Sequence, residues 1–343
     1  MSVKAWLRDR AGQLLLGAGL THPGRQGAGQ LTVATFHRVL PESQKAEYPL
    51  PGLVVTPSEL ECFLGFFERH YTVGTLRTCA EGWQDQAPAG RPRLALTFDD
   101  AQFDNYVHAR PILEAAGMRA TFFAPAGALD RGESLWHDRL AYGIADGWRT
   151  QRPETARVLA ELGVTPAPDA TPNIAARALV LAAKDVTPFA RSEWVDRVDE
   201  VLGVGVPDWD GLMTWDQLGA LAEAGHEVGS HSLTHALLPQ CDDEALEREV
   251  SGSRQLLEER LGFEVVSFCY PNGDCDERTA RAVRAAGYRW GVSTAWGANL
   301  PGADAWRLAR FEMHADHVRA RDGAFSEPRL AWRMSRFHPA ARS

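Results

Sequence analysis

An α/β fold, a parallel sheet closed into a barrel, is what this sequence predicts, and three observations carry the prediction. Short apolar strands alternate with helical segments along most of the 343 residues. Three helix-to-strand joints share one local sequence: AAG at 115–117, EAG at 223–225 and AAG at 285–287. No Gly-rich dinucleotide fingerprint accompanies the strands. Strands separated by helices pair in parallel through right-handed crossovers. A glycine able to take the left-handed conformation ends each helix just before the next strand. Seven or eight such units without the fingerprint favour a closed or nearly closed barrel over a dinucleotide-binding sheet.

In chain order, LTVATF at 31–36 reads as a strand, followed by an irregular stretch marked by Pro41, Pro49, Pro51 and Pro57. SELECFLGFFERH at 58–70 reads as a helix capped by Ser58, with Leu60, Phe63, Leu64 and Phe67 at helical spacing. A short strand at 71–75, a clear one at 93–98 (RLALTF), a helix at 105–116 and a strand at 119–124 (RATFFA) follow. Further on, helices over 215–224, 243–261 and 277–286 alternate with strands over 226–230, 265–270 and 289–293, and 306–313 is strand-like. Two parts break the rhythm. Residues 127–212, helical but interrupted by TPAPDATPN at 165–173, read as an insertion over one face of the barrel. The tail carries Arg319, Arg321, Arg329, Arg333, Arg336 and Arg342 against Asp316, Asp322 and Glu327, so it is either solvated or a dock for an anionic surface. The expected organisation is an N-terminal helical extension (1–30), a barrel (31–315) containing the insertion, and a basic tail (316–343).

Composition narrows the function classes. With 45% hydrophobic and 24% charged residues the chain is an ordinary globular one, and a net charge of −9 argues against nucleic acid as a partner. Lys4, Lys45 and Lys184 are its only lysines, so the positive charge is almost all arginine. Cys62, Cys79, Cys241, Cys269 and Cys275 form no CxxC pair, which excludes a Cys-rich zinc module and fits a reducing compartment. The apolar stretch at 11–20, behind Arg8, Asp9 and Arg10, falls short of the roughly 18 residues of a spanning helix and has no signal-peptide pattern. It reads as a frayed amphipathic helix, with a peripheral membrane contact as the alternative. The expected location is cytoplasmic, the inner membrane face included.

Catalytic groups in parallel barrels sit at the carboxyl ends of the strands. His37 and Arg38 follow the first strand, Asp99 and Asp100 follow RLALTF, His231 and His235 follow HEVGS, and Tyr270, Pro271, Asn272 and Gly273 follow VVSFC. Adjacent aspartates alone are common at turns. His231 and His235, four apart, place both rings on one side of a helical turn, as metal binding requires. Two histidines and one aspartate make a three-ligand divalent site that leaves a position for water. HEVGSH at 226–231 is no zinc-protease motif, because its histidines are five apart on a strand, and Glu227 reads as a half-exposed strand residue.

TFDD at 97–100, HSLTH at 231–235, FCYPNG at 268–273, ATFF at 120–123 and LAEAGHEVGSH at 221–231 carry a resemblance. From about 31 to 313 the chain resembles the polysaccharide deacetylases of the NodB-homology type, carbohydrate esterase family 4. The resemblance implies a distorted (β/α)7 barrel and metal-dependent removal of acetyl from an N-acetylated sugar. It implies Asp99 as general base and Asp100, His231 and His235 as ligands of a divalent cation, zinc being expected. The partner it implies is an acetylated glycan or sugar precursor, and a backbone amide near Tyr270 is a candidate oxyanion donor. Tyr270, Pro271, Asn272, Arg310 and Trp215 are candidate substrate-binding residues, and Trp136 and Trp209 are further candidates for a sugar platform. A nucleotide- or lipid-linked sugar is the expected substrate form.

The sequence departs from the family pattern at three places. Ala101 replaces the usual glycine after the aspartate pair. Cys269, two before Pro271, stands where an arginine often orients the base, and Arg310 is the candidate to replace it. The late leucine-x-histidine motif that supplies the acid is not evident. Relatives with permuted motifs take that acid from a strand of the YHxV type, which TFHRV at 35–39 resembles, so His37 is the expected acid and His314 the fallback. An O-acetyl esterase and a degenerate glycan-binding barrel remain as alternatives.

Overall fold

The computed structural model describes residues 3–26, 29–84, 91–167, 169–203 and 205–342. Residues 1, 2, 27 and 28 of the expected extension, Pro168 in the insertion and the side chains of Arg8 and Arg342 lie outside that description. Seven parallel strands close a ring: β1 (Leu31–Phe36), β2 (Arg93–Phe98), β3 (Thr121–Ala124), β4 (Glu227–Ser230), β5 (Ser267–Cys269), β6 (Trp290–Trp296) and β7 (Leu308–Glu312). Each pairs with the next in sequence, and β7 returns to β1 through Ala34–Phe311 and Thr35–Glu312. A further short strand, Thr72–Gly74, lies along the first half of β2.

The ring follows from side-chain alternation. Phe36, Phe98 and Phe122 are register neighbours on three strands and stack in sequence at 5.4 and 5.1 Å. They face the helix Pro57–His70, whose Phe63 meets Phe36 edge-on. Burial of each such ring contributes roughly 2–3 kcal/mol. The residue after Phe98 therefore points the other way, into the barrel mouth. Gly117, Gly225 and Gly287 have φ of 66°, 87° and 89°, the left-handed stops expected at the three joints.

Several boundaries differ from expectation for identifiable reasons. Thr56, not Ser58, caps the helix at 57–70, in a capping box with Glu59. The helix expected at 105–116 opens with a wide turn, Asn105–Ala109, and becomes regular at Arg110–Ala115, where Pro111 brings no N–H. β6 runs three residues past the expected end, to Trp296.

The segment between β3 and β4 holds the helices Ala126–Arg131, Trp136–Arg149, Pro153–Glu161, Pro172–Ala183 and Pro188–Leu202. From Leu140 onward they share an apolar cluster separate from the barrel's, completed by Leu40, Tyr48, Leu50 and Val54. The basic tail is not free in solvent. Its helix Glu327–Arg333 packs on the N-terminal helix Val3–Gly17, with Arg329 bonded to Asp9 and Arg319 to Glu59. No helix among the described residues is long and apolar enough to cross a membrane.

Arg38, fully buried just past β1, ties these parts together. Its guanidinium bonds Asp104 at 2.5 Å and Asp210 at 2.5 Å and lies over the Tyr48 ring at 4.5 Å. Tyr48 in turn donates to Asp138 on the helix Trp136–Arg149 at 2.7 Å. Replacing Arg38 by Ala leaves two buried carboxylates without their cation, so denaturant titration should show a loss of about 3–5 kcal/mol.

Candidate metal and hydrolytic site

The carboxyl ends of the strands open into a cavity of about 360 Å³, within the range of small-molecule sites. His37, Asp99, Asp100, His231, His235, Asn272 and Arg310 all line it. Asp100 Oδ1 lies 3.4 Å from His231 Nε2 and 3.3 Å from His235 Nε2. These three ligand atoms are buried and converge on one point. His231 Nδ1 is 2.8 Å from the Cys269 carbonyl, so it carries the proton and leaves Nε2 as a free lone pair facing Asp100.

The donor set fits a divalent cation. Asp100 Oδ1 and His235 Nδ1 are buried with no hydrogen-bond partner among the described residues, and the carboxylate oxygen is the one aimed at both rings. Burial pushes His235 down to about 4, leaving its imidazole neutral, as a ligand must be. At His231 burial also lowers, but contacts with Cys269 and Asp100 outweigh it and raise the group. Asp99, Cys269 and His231 form a second possible donor group, but Asp99 is engaged by Arg310.

Burial raises Asp99, yet the Arg310 guanidinium outweighs it and holds the carboxyl below its ordinary range. Arg310 Nη1 donates to Asp99 Oδ1 at 2.8 Å, while Cys269 Sγ sits 3.5 Å from Oδ2. Arg310 reaches in from β7, donating also to the Ser293 carbonyl at 2.9 Å and to Thr35 Oγ1 at 3.0 Å. The guanidinium absent at position 269 thus arrives from another strand. His37 Nε2 is 3.8 Å from Asp99 Oδ2.

The backbone is bent to make this site. Asp100, Ala101, Ser232, His235 and Asn272 are five of the six non-glycine residues with positive φ among the described residues. Such conformations cost about 1–2 kcal/mol each and persist where the surroundings hold them. The turn through Asp100 and Ala101 is held by Phe103 N to Gly211 O at 2.8 Å and Met213 N to Ala101 O at 2.9 Å.

Other expected residues are placed elsewhere. Trp215 is outside the cavity: its indole N–H donates to Asp130 at 3.2 Å and its ring packs on the barrel's core. Tyr270 is buried, with its hydroxyl donating to the Trp306 carbonyl at 2.8 Å. Its amide donates to Val292 O at 3.1 Å, the parallel ladder taking the donor expected for an oxyanion. Pro271 is buried in the short turn after β5. His314 lies in a neighbouring cavity, 3.0 Å from Glu312, and does not reach Asp99's cavity. Trp209 packs against the insertion's own core. Glu227 caps the opposite end of the barrel, accepting from Thr121 at 2.8 Å, the Arg77 amide at 2.8 Å and Ser267 at 2.5 Å. Sequence reasoning missed His137, Lys184, Trp296, Glu312 and Arg333, which also line the cavity. The first two come from the insertion, whose fold alone carries them there. A signal for Trp296 existed in its place at a strand's carboxyl end.

Residues 168–291 match the family described as Polysaccharide deacetylase. This chain is similar to the polysaccharide deacetylases. The matched segment holds His231, His235 and the FCYPNG motif, and the fold adds Asp99 and Asp100 from outside it. The Bacillus subtilis protein named "Putative polysaccharide deacetylase YxkH" is 25% identical over 115 residues, 34% of this chain and 41% of that one. The match thus spans less than half the length of that curated relative. Two solved structures share the fold. Streptococcus pyogenes deacetylase PplD superposes with a TM-score of 0.58 at 16% identity, covering 89% of this chain and 98% of that one. IcaB from Ammonifex degensii gives 0.54 at 18% identity, covering 90% and 99%.

Elemental analysis of the purified protein should find about one divalent cation per chain, removable by chelator, and little in His231→Ala. Full cation content in that variant would exclude His231 as a ligand.

Proposed function

We propose that this chain hydrolyses the acetyl group from an N-acetylated sugar, with Asp99 as general base and His37 as general acid. The supporting observation is the Asp99 carboxylate, held by Arg310, in one cavity with the three convergent atoms of Asp100, His231 and His235. The family match and the PplD structure, which holds acetate, point the same way. A divalent cation, zinc in our reading, would be held by Asp100, His231 and His235 and would supply an acidified water and a polarised acyl oxygen.

Each side chain then has one task. Asp99 stays ionised in a dry site because Arg310 pairs with it, so it can accept the proton of the attacking water. Arg310 is a positioning residue that orients the carboxylate through Oδ1 and leaves Oδ2 facing His37. His37 donates the proton that the departing amine needs, and acetate leaves with the water's oxygen. Trp296 and Trp136, both in the cavity lining, offer apolar faces to a pyranose ring. The departures at Ala101 and Cys269 leave this arrangement standing, which favours a working enzyme over a glycan-binding barrel.

Release of acetate from N-acetylated chito-oligosaccharides tests the reading. Asp99→Asn should lower kcat by about 10²–10⁴ with the cation retained, and unchanged turnover would overturn the base assignment. His37→Ala separates amide from ester chemistry. An amine leaves only once protonated, whereas 4-nitrophenolate leaves unaided. The variant should therefore lose about tenfold more activity on the N-acetyl sugar than on 4-nitrophenyl acetate. Equal losses would remove His37 as the acid.

A further inference from the structure

A second cavity, of about 570 Å³, adjoins the first and shares Leu50, Leu53, Val180, Lys184 and Glu312 with it. Two of the chain's three lysines, Lys45 and Lys184, line it in a protein that otherwise carries its positive charge on arginine. Arg177 joins them and has no hydrogen-bond or ion-pair partner among the described residues. Lys184 sits on the boundary between the cavities, its ammonium donating to the neutral amide of Asn272. Burial weakens its hold on a proton most, and the nearby Arg177 adds to this, while the carboxylates of Asp274, Glu312 and Asp100 act in the opposite direction without cancelling it. The acidic groups of the same wall are already engaged: Glu312 with His314 at 3.0 Å and Asp316 with Arg319 at 3.8 Å.

Apart from Asn173, His314 and His317, the rest of the lining is apolar. The helix Pro172–Ala183 buries Ala175, Ala176, Leu179, Val180 and Ala183 on one face. Its other face carries Ile174 and Leu181, 54% and 48% exposed, on either side of Arg177. Both line the cavity opposite Leu50, Leu53 and Val54. Cations at the boundary, with apolar side chains beyond them, match an anion followed by a hydrocarbon.

We propose that this groove binds a substrate whose acetylated sugar is joined through phosphate to an apolar chain. The sugar occupies the hydrolytic cavity, the phosphate meets Lys184 and Arg177, and the chain lies along Ile174 and Leu181. The proposal rests on the deacetylase reading for the sugar's fate, but binding can be read without turnover.

The test compares three N-acetylglucosamine compounds: the methyl glycoside, the 1-phosphate, and the 1-phosphate esterified with a dodecyl chain. Binding is followed by tryptophan fluorescence and turnover by acetate release. The phosphate should tighten binding about tenfold or more, as one charge-assisted contact does, and the dodecyl chain should tighten it further. Arg177→Ala should remove the phosphate gain and Leu181→Ser the dodecyl gain, both leaving hydrolysis of chito-oligosaccharides unchanged. Equal binding of the three compounds would overturn the proposal. So would an Arg177→Ala defect extending to uncharged chito-oligosaccharides, which would make the groove a subsite for further sugars. Selective binding without acetate release from any compound would keep the groove and sink the deacetylase reading instead.

Discussion

The placement of the site depends on burying Arg38. A guanidinium removed from water is costly, and a buried ion pair seldom adds net stability over an apolar replacement. What it enforces is geometry, because only one arrangement of its partners satisfies the charge. Here the partners come from three places: Asp104 beyond the aspartate turn, Asp210 from the return of the insertion, and Tyr48 from the irregular stretch after β1. Val39 N and Asn105 Nδ2 also bond Asp104, and Asn105 reaches the His37 carbonyl at 2.8 Å. The same network thus sets the backbone that carries His37 and holds the helices Trp136–Arg149 and Pro172–Ala183 over the rim.

The strained turn at Asp100 and Ala101 depends on that arrangement in turn. Its φ values of 73° and 49° are unfavourable for side chains with a Cβ, and Ala101 gives up the freedom that a glycine would have. Gly211, next to Asp210, accepts the amide of Phe103, and Met213 donates to Ala101. The returning end of the insertion therefore clamps the turn that aims Asp100 at the histidines. The insertion and the candidate site are thus tied together through this turn, even though the insertion has an apolar core of its own.

The strand-end residues were legible in the sequence because closure of a parallel ring leaves little choice. Once β1, β2 and β4 are recognised, His37, Asp99, Asp100, His231 and His235 must share a rim, and they do. What was hidden follows two rules. Residues on long excursions, such as His137 and Lys184, reach the cavity through packing between helices, which no local pattern records. Groups whose use depends on the ladder are equally opaque: Tyr270 follows a strand end as expected, yet its amide is taken by Val292. Trp215 misled for a simpler reason. It opens a helix at the outer layer, where the ring satisfies Asp130 and covers core. The arginine tail was only partly legible from composition, since Arg329 is largely buried against Asp9 and Arg319, still partly exposed, is bound to Glu59.

Cys269 and Arg310 meet Asp99 from different strands, the thiol at Oδ2 and the guanidinium at Oδ1. A buried carboxylate needs a cation against one oxygen to remain ionised, but nothing requires that cation to come from the neighbouring strand. In a closed ring β5 and β7 both point their inward residues at the axis, so a long guanidinium from β7 reaches the position that one on β5 would fill. The small thiol at 269 lies 3.5 Å from the other oxygen of Asp99. The charge of Asp99 is therefore balanced from β7, with a neutral thiol at position 269 on β5.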